Sequence, residues 1–455
     1  MHSTISPPTN PGQAVPLQEH SVILPMLRSI KRPIAALTSI HRAHGDLVLG
    51  RFFAKRILFV CDPAAIEQLY GYEGKGLLNR DFIYEAKKTF FGDGLVNSRS
   101  DLWSKQRRLL QPWFTKDAVK SWESIISAET RAMLRQMQTA GQTEVDLSAR
   151  IKLLIQRIFI RILLGRSVDE LSNSAELIRV IDTISQELLP QLGTEIMFGR
   201  LKRFLPLRTR RYRQAVAYLR DFIRQQIDNR PAVPGQDMIS LFMQAEDRNT
   251  GYKMSAALLQ DEAVNLFYAG QDTTINTLLW FFYLTGKHAK VREKVGAEVR
   301  ALPADATAAQ VLSGLPYTKA AIQETLRLYP PTTALSNQTA ADIRLGPYTI
   351  RKGTTIMFSM YATHRNPRFW DQADSFDPER FTGDGADRHP KYAYFPFGGG
   401  LHNCLGRHFV ELEMLLIIAE FFRVFSFQTD ICAQEAIGIT LKPDRPITGK
   451  IKAAG

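Results

Sequence analysis

The residue with the most specific chemical surroundings is Cys404, set in Phe395-Pro-Phe-Gly-Gly-Gly-Leu-His-Asn-Cys404-Leu-Gly-Arg-His-Phe409. Gly398 to Gly400 precede it and Gly406 follows. Glycine has no side chain and tolerates positive φ, so the backbone there can turn tightly and come within contact distance of a flat ligand. From Phe409 to Phe425 the apolar pattern reads as a helix. A cysteine at a helix start has its thiolate favoured by the unpaired N–H groups and the macrodipole. A lone thiolate in such a loop suits the axial position of a haem iron. The plainer alternative is a structural turn with a buried cysteine.

A second constellation is Ala269-Gly-Gln-Asp-Thr-Thr274, inside an apolar helical pattern from Met254 to His288 that is flanked by Leu259, Ala263, Phe267, Ile275, Leu278 and Phe282. Gly270 within a helix costs about 1 kcal/mol against alanine, so it asks for a reason. Small residues at 269 and 270 would admit a flat ligand against the backbone. The Thr273 hydroxyl can bond a carbonyl three or four residues back and open the helix locally. An alcohol beside a carboxylate, Thr273 beside Asp272, can hold and relay protons through water. A simple helix kink is the competing reading.

Two further pairs sit at helical spacing. Trp103 and Arg107 are four residues apart and share a face. Their indole and guanidinium can both donate to one carboxylate, unless that face merely meets water. Glu324 and Arg327 precede Pro330-Pro331, and Phe376-Asp-Pro-Glu-Arg380-Phe381 comes later. Glu324 and Arg327 are three apart and share a helix face, where carboxylate and guanidinium can pair. An exposed helix pair is the alternative for Glu324 and Arg327.

Together these residues resemble the cytochrome P-450 superfamily over roughly Pro33 to Lys452. Phe397-x-x-Gly400-x-His402-x-Cys404-x-Gly406 is similar to its haem-binding signature, with His402 where arginine is usual. Ala269-Gly-Gln-Asp-Thr-Thr274 resembles its oxygen-activation motif, Trp103-x-x-x-Arg107 its propionate-binding helix, and Glu324-x-x-Arg327 with Arg380 its scaffold. The resemblance implies a mainly α fold with a small β region, a triangular helical prism. Haem b would lie between a long central oxygen-side helix and the cysteine-loop helix. It implies Cys404 as the iron ligand and Asp272 and Thr273 as proton carriers. Trp103, Arg107, Ala269, Gly270, Phe397, His402 and Gly406 would surround the haem. The family commonly places a propionate-binding arginine where this chain has Asn337, which leaves Trp103, Arg107 and His402 to that task. The implied reaction puts one atom of dioxygen into a hydrophobic molecule and releases the other as water.

The elements that must position these groups follow from periodicity. Pro33 to Gly45 and Pro63 to Tyr70 read as helices, and Asp46 to Asp62 as a β-hairpin turning near Lys55-Arg56. Phe82, Tyr84, Phe90 and Phe91, followed by Gly92-Asp-Gly94, read as an irregular loop. Val119 to Gly165 and Val168 to Pro190 are predicted helices. Asp228 to Asp237 is a loop, and Asp342 to Arg351 and Thr354 to Ser359 are strand-like. By resemblance the aromatic loop roofs the substrate pocket. Phe82, Phe90, Phe91, Phe267, Thr332, Thr333 and Ile439 are then candidate substrate contacts, although the phenylalanines equally suit a packed core. Ile439 belongs to a closing strand, Ile439 to Pro443.

The 455 residues are 45% hydrophobic and 23% charged, ordinary globular composition. Residues 1–32 form a lead-in, with Met1 to Val15 rich in Pro, Ser and Thr, and 33–455 the haem-thiolate domain. Cys61, Cys404 and Cys432 lie far apart, against a disulfide framework or zinc module and in favour of a reducing, cytoplasmic setting. Val22 to Met26 and Leu278 to Leu284 are too short to span a bilayer, so a soluble protein is expected, with a monomer the simplest state. Net charge is +13 with pI near 9.6. No nucleic-acid module accompanies it, and an acidic redox partner suits that charge best. With no flavin or iron–sulfur module appended, electrons would come from a ferredoxin or flavodoxin with its reductase. The basic, partly apolar stretch Phe198 to Arg213 suits contact with a lipid surface. A peroxide-driven enzyme or isomerase on the same fold, or a non-catalytic haem-binding sensor, are the rival functions.

Overall fold

A computed structural model describes residues 15–23, 33–141, 143–171, 173–198, 209–230 and 235–454. They fall into two compact units, each assembled from separate stretches of chain. The first takes in the chain up to Phe82, Thr332–Ser375 and Asp384–Cys404; the second takes in Ile83–Pro331, Phe376–Gly383 and Leu405–Gly455. The basic stretch lies largely outside the described residues, as does most of the lead-in.

In the first unit a six-stranded sheet runs β1 (Glu19–Ser21), β2 (Leu47–Phe52), β3 (Lys55–Val60), β6 (Thr355–Phe358), β5 (Leu335–Thr339), β4 (Leu78–Asn79) in spatial order. β2 and β3 form the expected hairpin, turning at Phe53, whose φ of 52° lies in the left-handed region. The central pair β3 and β6 is parallel, Leu58 opposite Ile356, and β6 pairs antiparallel with β5, Ile356 opposite Asn337. The apolar faces of these strands bury Leu58, Val60, Ile356 and Phe358 against helix α1 (Pro63–Gly74) through Ile66, Leu69 and Tyr70. Asp62 caps α1 by accepting from the Ala65 amide, and proline occupies the first turn, where its missing N–H costs nothing.

The second unit is mostly helical. Its elements used below are α2 (Tyr84–Phe91), α3 (Ser100–Leu110), α4 (Leu147–Leu164), α5 (Thr209–Asp228), α6 (Ala256–Ala269), α7 (Asp272–Lys287), α8 (Pro316–Leu328) and α9 (Arg407–Val424), with a hairpin of β7 (Glu435–Ile437) and β8 (Leu441–Pro443). Three sequence expectations need correction. The aromatic stretch is not irregular: its Tyr84, Phe90 and Phe91 lie on α2, which stops at Gly92 with φ of 55°. Val119 to Gly165 is not one helix. Gly141, with φ of 58°, turns the chain so that the short strand Glu144–Asp146 can pair with Thr448–Ala453 before α4 starts at its Asp146 cap. The next helix runs Ser174–Phe198, straight through Pro190.

Candidate active site

The cysteine loop is held by packing. The Gly398 amide donates to Phe395 O and the Cys404 amide to Phe397 O, each at 2.9 Å. Gly398 and Gly400 have φ of 73° and 65°, which other residues rarely adopt. A Cβ on Gly399 would lie 2.5 Å from the Tyr392 ring, and one on Gly400 would lie 2.3 Å from Glu73 Oε2. Tyr70, itself stacked on Phe358 at 4.6 Å, closes on both glycines. Gly406 caps α9, and Cys404 is exposed two residues before it.

Glu73, on the last turn of α1, is the polar hub of this unit, with a side chain only 3% exposed. Its Oε1 lies 2.8 Å from His402 Nδ1 and accepts from Asn337 Nδ2 at 3.2 Å, while Oε2 accepts from the Leu401 amide at 3.2 Å. Arg80 donates through Nε to Asn337 Oδ1 at 3.0 Å and places Nη2 3.7 Å from Glu73. Burial pushes the Glu73 carboxyl up, but His402, Arg80 and Asn337 together outweigh it and hold the group below its ordinary range. Asn337 is therefore no vacant stand-in for an arginine: it is fully buried and orients Arg80 and Glu73. Sequence reasoning missed Glu73 and Arg80. The signal was a lone acid in the buried stripe of α1 and a basic residue one step past β4.

In the second unit the long helix of the sequence analysis is divided, α6 ending at Ala269 and α7 beginning at Asp272. Threonine hydroxyls take up carbonyls there: Thr273 Oγ1 donates to Ala269 O at 3.1 Å and Thr274 Oγ1 to Gly270 O at 3.2 Å. Gln271 Nε2 donates to Phe267 O at 2.6 Å. Gly270 has a packing reason to be glycine, since a Cβ would sit 2.2 Å from the Phe159 ring of α4. Ala269 is exposed and Thr273 half-buried. Asp272 accepts from Thr440 Oγ1, and burial raises its carboxyl above the ordinary range against the opposing pull of Thr440 and Lys442. Glu413 on α9 is fully buried beside Thr274, and burial pushes its carboxyl up to about 8.

Trp103 and Arg107 both lie half-buried on α3. Next to Arg107, the buried Gln106 donates to Asp93 O at 2.7 Å and ties α3 to the turn after α2. Glu324 and Arg327 of α8 are fully buried and form two hydrogen bonds, Nε to Oε2 at 2.6 Å and Nη2 to Oε1 at 2.8 Å. Arg380 Nε lies 3.4 Å from Glu324 Oε1, and the Asp377 amide donates to the same oxygen at 2.9 Å. The three scaffold residues thus meet, and the exposed-pair reading is excluded.

Of the candidate substrate contacts, Phe82, Thr332 and Thr333 are half-buried in the first unit. Phe90 and Phe91 are buried edge to face at 4.7 Å, and Phe90 meets Tyr268 at 5.0 Å. Phe267 is buried 6.2 Å from Phe159, and Ile439 is half-buried in the β7–β8 turn. The turn after α2 is pinned to α6 by acceptors that sequence reasoning missed. Asp261 takes the Asp93 amide at 2.8 Å, Glu262 the Leu95 amide at 3.0 Å, and Asn265 the Val96 amide at 3.1 Å. Polar residues inside an otherwise apolar helix were the available sign.

Residues 15–445 match the family model described as Cytochrome P450. The chain belongs to the cytochrome P450 family. Among relatives, this P450 is 31% identical over 417 residues to cyclooctat-9-en-7-ol 5-monooxygenase of Streptomyces melanosporofaciens, covering 90% of this chain and 87% of that protein. It is 27% identical over 422 residues to pentalenene oxygenase of Streptomyces avermitilis, covering 90% and 89%. The crystal structure of the cytochrome P450DA heme domain shares the fold, with a TM-score of 0.83, 22% identity and coverage of 97% and 98%. The protein is accordingly an oxidoreductase, a P450 monooxygenase with a cysteine-ligated haem. The residues present fit that group. Cys404 is an exposed, soft sulfur donor at the end of a loop whose geometry is fixed by its own packing, whereas burial pushes the Cys61 thiol far up and Asp46 holds it at 3.3 Å. Among the described residues no helix is long and apolar enough to cross a membrane.

Proposed function

We propose that this P450 oxidises a hydrophobic, terpenoid-like small molecule, placing one oxygen atom into a C–H or C=C bond. The observation that carries the substrate class is the 31% identity, over nine-tenths of the chain, to a monooxygenase named for cyclooctat-9-en-7-ol. The net reaction consumes the substrate, dioxygen, two electrons and two protons, and gives the oxygenated product and water. Electrons come from a separate ferredoxin or flavodoxin with its reductase, for which the +13 net charge provides electrostatic steering.

Cys404 is the residue that holds the iron. When bound, the haem supplies the redox chemistry that activates dioxygen. Trp103 and Arg107 would supply donors for its carboxylates together with His402, whose ring is held by Glu73 within the network that Arg80 and Asn337 complete. Phe397 and Gly406 bound the Cys404 loop, and Ala269 and Gly270 mark the helix break. Thr273 and Asp272 hold and pass protons, the alcohol at the break and the raised carboxyl behind it. Glu324, Arg327 and Arg380 keep the scaffold in register. Phe82, Phe90, Phe91, Phe267, Thr332, Thr333 and Ile439 bound the substrate.

The test is a spectral titration of the ferric protein with a panel of cyclic terpenoids and fatty acids, followed by turnover with a surrogate ferredoxin pair. The reading predicts that carbocyclic terpenoids displace water from iron at the lowest concentrations and are oxygenated. Exclusive response to linear acyl chains would overturn the substrate class. Turnover with peroxide but never with reductase and dioxygen would overturn the electron supply.

A further inference from the structure

The α7 start and the β7–β8 turn share a hydrogen-bond chain that the motif reading does not include. Asn276, one turn after Asp272, donates through Nδ2 to Asp272 O at 2.8 Å and to Thr440 Oγ1 at 2.9 Å. An amide nitrogen only donates, so Thr440 Oγ1 accepts from it. A hydroxyl has one proton, and that of Thr440 goes to Asp272 Oδ2. Thr440 and Asn276 are both buried, 6% and 4% exposed, so water does not compete freely for these bonds. The direction of the chain is therefore fixed from Asn276 through Thr440 to the carboxylate.

We propose that Thr440, its hydroxyl aligned by Asn276, is a positioning residue for Asp272: it occupies Oδ2 and thereby assigns the carboxyl's mobile proton to Oδ1. This rests on the reading of Asp272 as a proton carrier. A carboxyl free to rotate would offer its proton from either oxygen, and only one of them faces the right way for relay at any moment. With Oδ2 held by a donor, the proton that Asp272 takes up has a single address. The other charged and titratable groups acting on Asp272 are Lys442 and Lys152, which favour its anion, and Asp182 and the phenol of Tyr268, which oppose it. None of them replaces a hydroxyl bonded directly to Oδ2. Thr440 also adjoins Ile439, and the turn is closed by the Gly438 amide on Thr440 O at 3.0 Å, with the Leu441 amide anchored to Pro331 O at 2.9 Å.

The test uses the haem-loaded protein with a surrogate ferredoxin pair and dioxygen as the only substrate, so the unidentified organic substrate is not needed. Dioxygen then leaves either as hydrogen peroxide, with two electrons and two protons, or as two waters, with four of each. Thr440→Val keeps the shape without the hydroxyl, Thr440→Ala is a second hydroxyl-free variant, and Thr440→Ser restores the group. The proposal predicts a several-fold higher peroxide fraction for Val and Ala, with return to the native value for Ser. Losing a hydrogen bond to the anion also moves the infrared titration of the Asp272 carboxyl, assigned with Asp272→Asn, to higher pH. If Asp272→Asn raises the peroxide fraction but Thr440→Val changes neither partition nor titration, the Thr440 assignment is wrong and the Asp272 reading stands. If Asp272→Asn leaves the partition unchanged, the reading of Asp272 itself fails.

Discussion

The cysteine loop and the helix break are held in place by different physics. Around Cys404 the constraint is steric: Gly399 and Gly400 meet Tyr70, Tyr392 and Glu73 so closely that no side chain fits at either position. Around Asp272 the constraint is a set of side-chain hydrogen bonds, Thr273 on Ala269 O, Thr274 on Gly270 O and Thr440 on Asp272. The first arrangement suits a ligand atom that must not move, because tight packing leaves it one position. The second suits proton traffic, because hydroxyls can exchange partners at small cost. A substitution at the loop should therefore damage folding and haem loading, and loss of a hydroxyl at the break should damage chemistry while leaving the fold intact.

Glu73→Leu should give the largest effect. It leaves Arg80, Asn337 and His402 without their common acceptor, and breaking a buried charged pair costs about 3–5 kcal/mol. Thermal unfolding and haem retention both report it, and a loss under 1 kcal/mol would mean that the hub is ornamental. Gly400→Ala should follow, at about 2–4 kcal/mol, from left-handed strain plus overlap with Glu73 and Tyr70. An alanine variant with native melting would show that the loop is looser than its packing implies.

The pH dependence separates the two regions further. Glu262 and Glu413 are fully buried, and burial pushes both carboxyls up to about 8, far above an ordinary glutamate. The unfolded chain releases these protons first, so their contribution is complete below the ordinary glutamate range and is lost as pH rises through about 8. The melting temperature should fall by several degrees between mildly acidic and mildly alkaline buffer. Glu262→Gln and Glu413→Gln should flatten that slope, and a slope unchanged in the double variant would place its origin elsewhere. The smallest effect on stability belongs to Thr273→Ala, about 0.5–1.5 kcal/mol for one hydrogen bond. Its peroxide release per electron should nonetheless rise several-fold, and unchanged coupling would remove Thr273 from the proton path.

The same division explains what could be read from the chain. Helical spacing alone places Trp103 with Arg107 and Glu324 with Arg327, and the hydroxyl of Thr273 bonds the carbonyl expected of it. Those are local relationships, fixed within one turn of helix. The Glu73 hub joins residues 264 positions apart at Asn337 and 329 apart at His402, a distance that periodicity does not report. The departure at Asn337 was visible in the sequence, but its meaning depends on Arg80 across the β4–β5 pairing, Asn79 opposite Gln338. Gly270 illustrates the converse. Its smallness invited a ligand-based explanation, while the fold shows Phe159 against it. The break at Gly141 was missed for a similar reason: the strand at Glu144–Asp146 exists only through its partner at the far end of the chain.

The chemistry depends first on which sulfur binds iron. The decisive measurement is the reduced, carbon monoxide difference spectrum of the haem-loaded protein and of Cys404→Ala, Cys61→Ala and Cys432→Ala. The structure predicts the Soret band of a thiolate-ligated haem in the native protein and in the latter two variants, and its loss in Cys404→Ala alone. A thiolate band that survives in Cys404→Ala, or is missing from the fully loaded native protein, would contradict it.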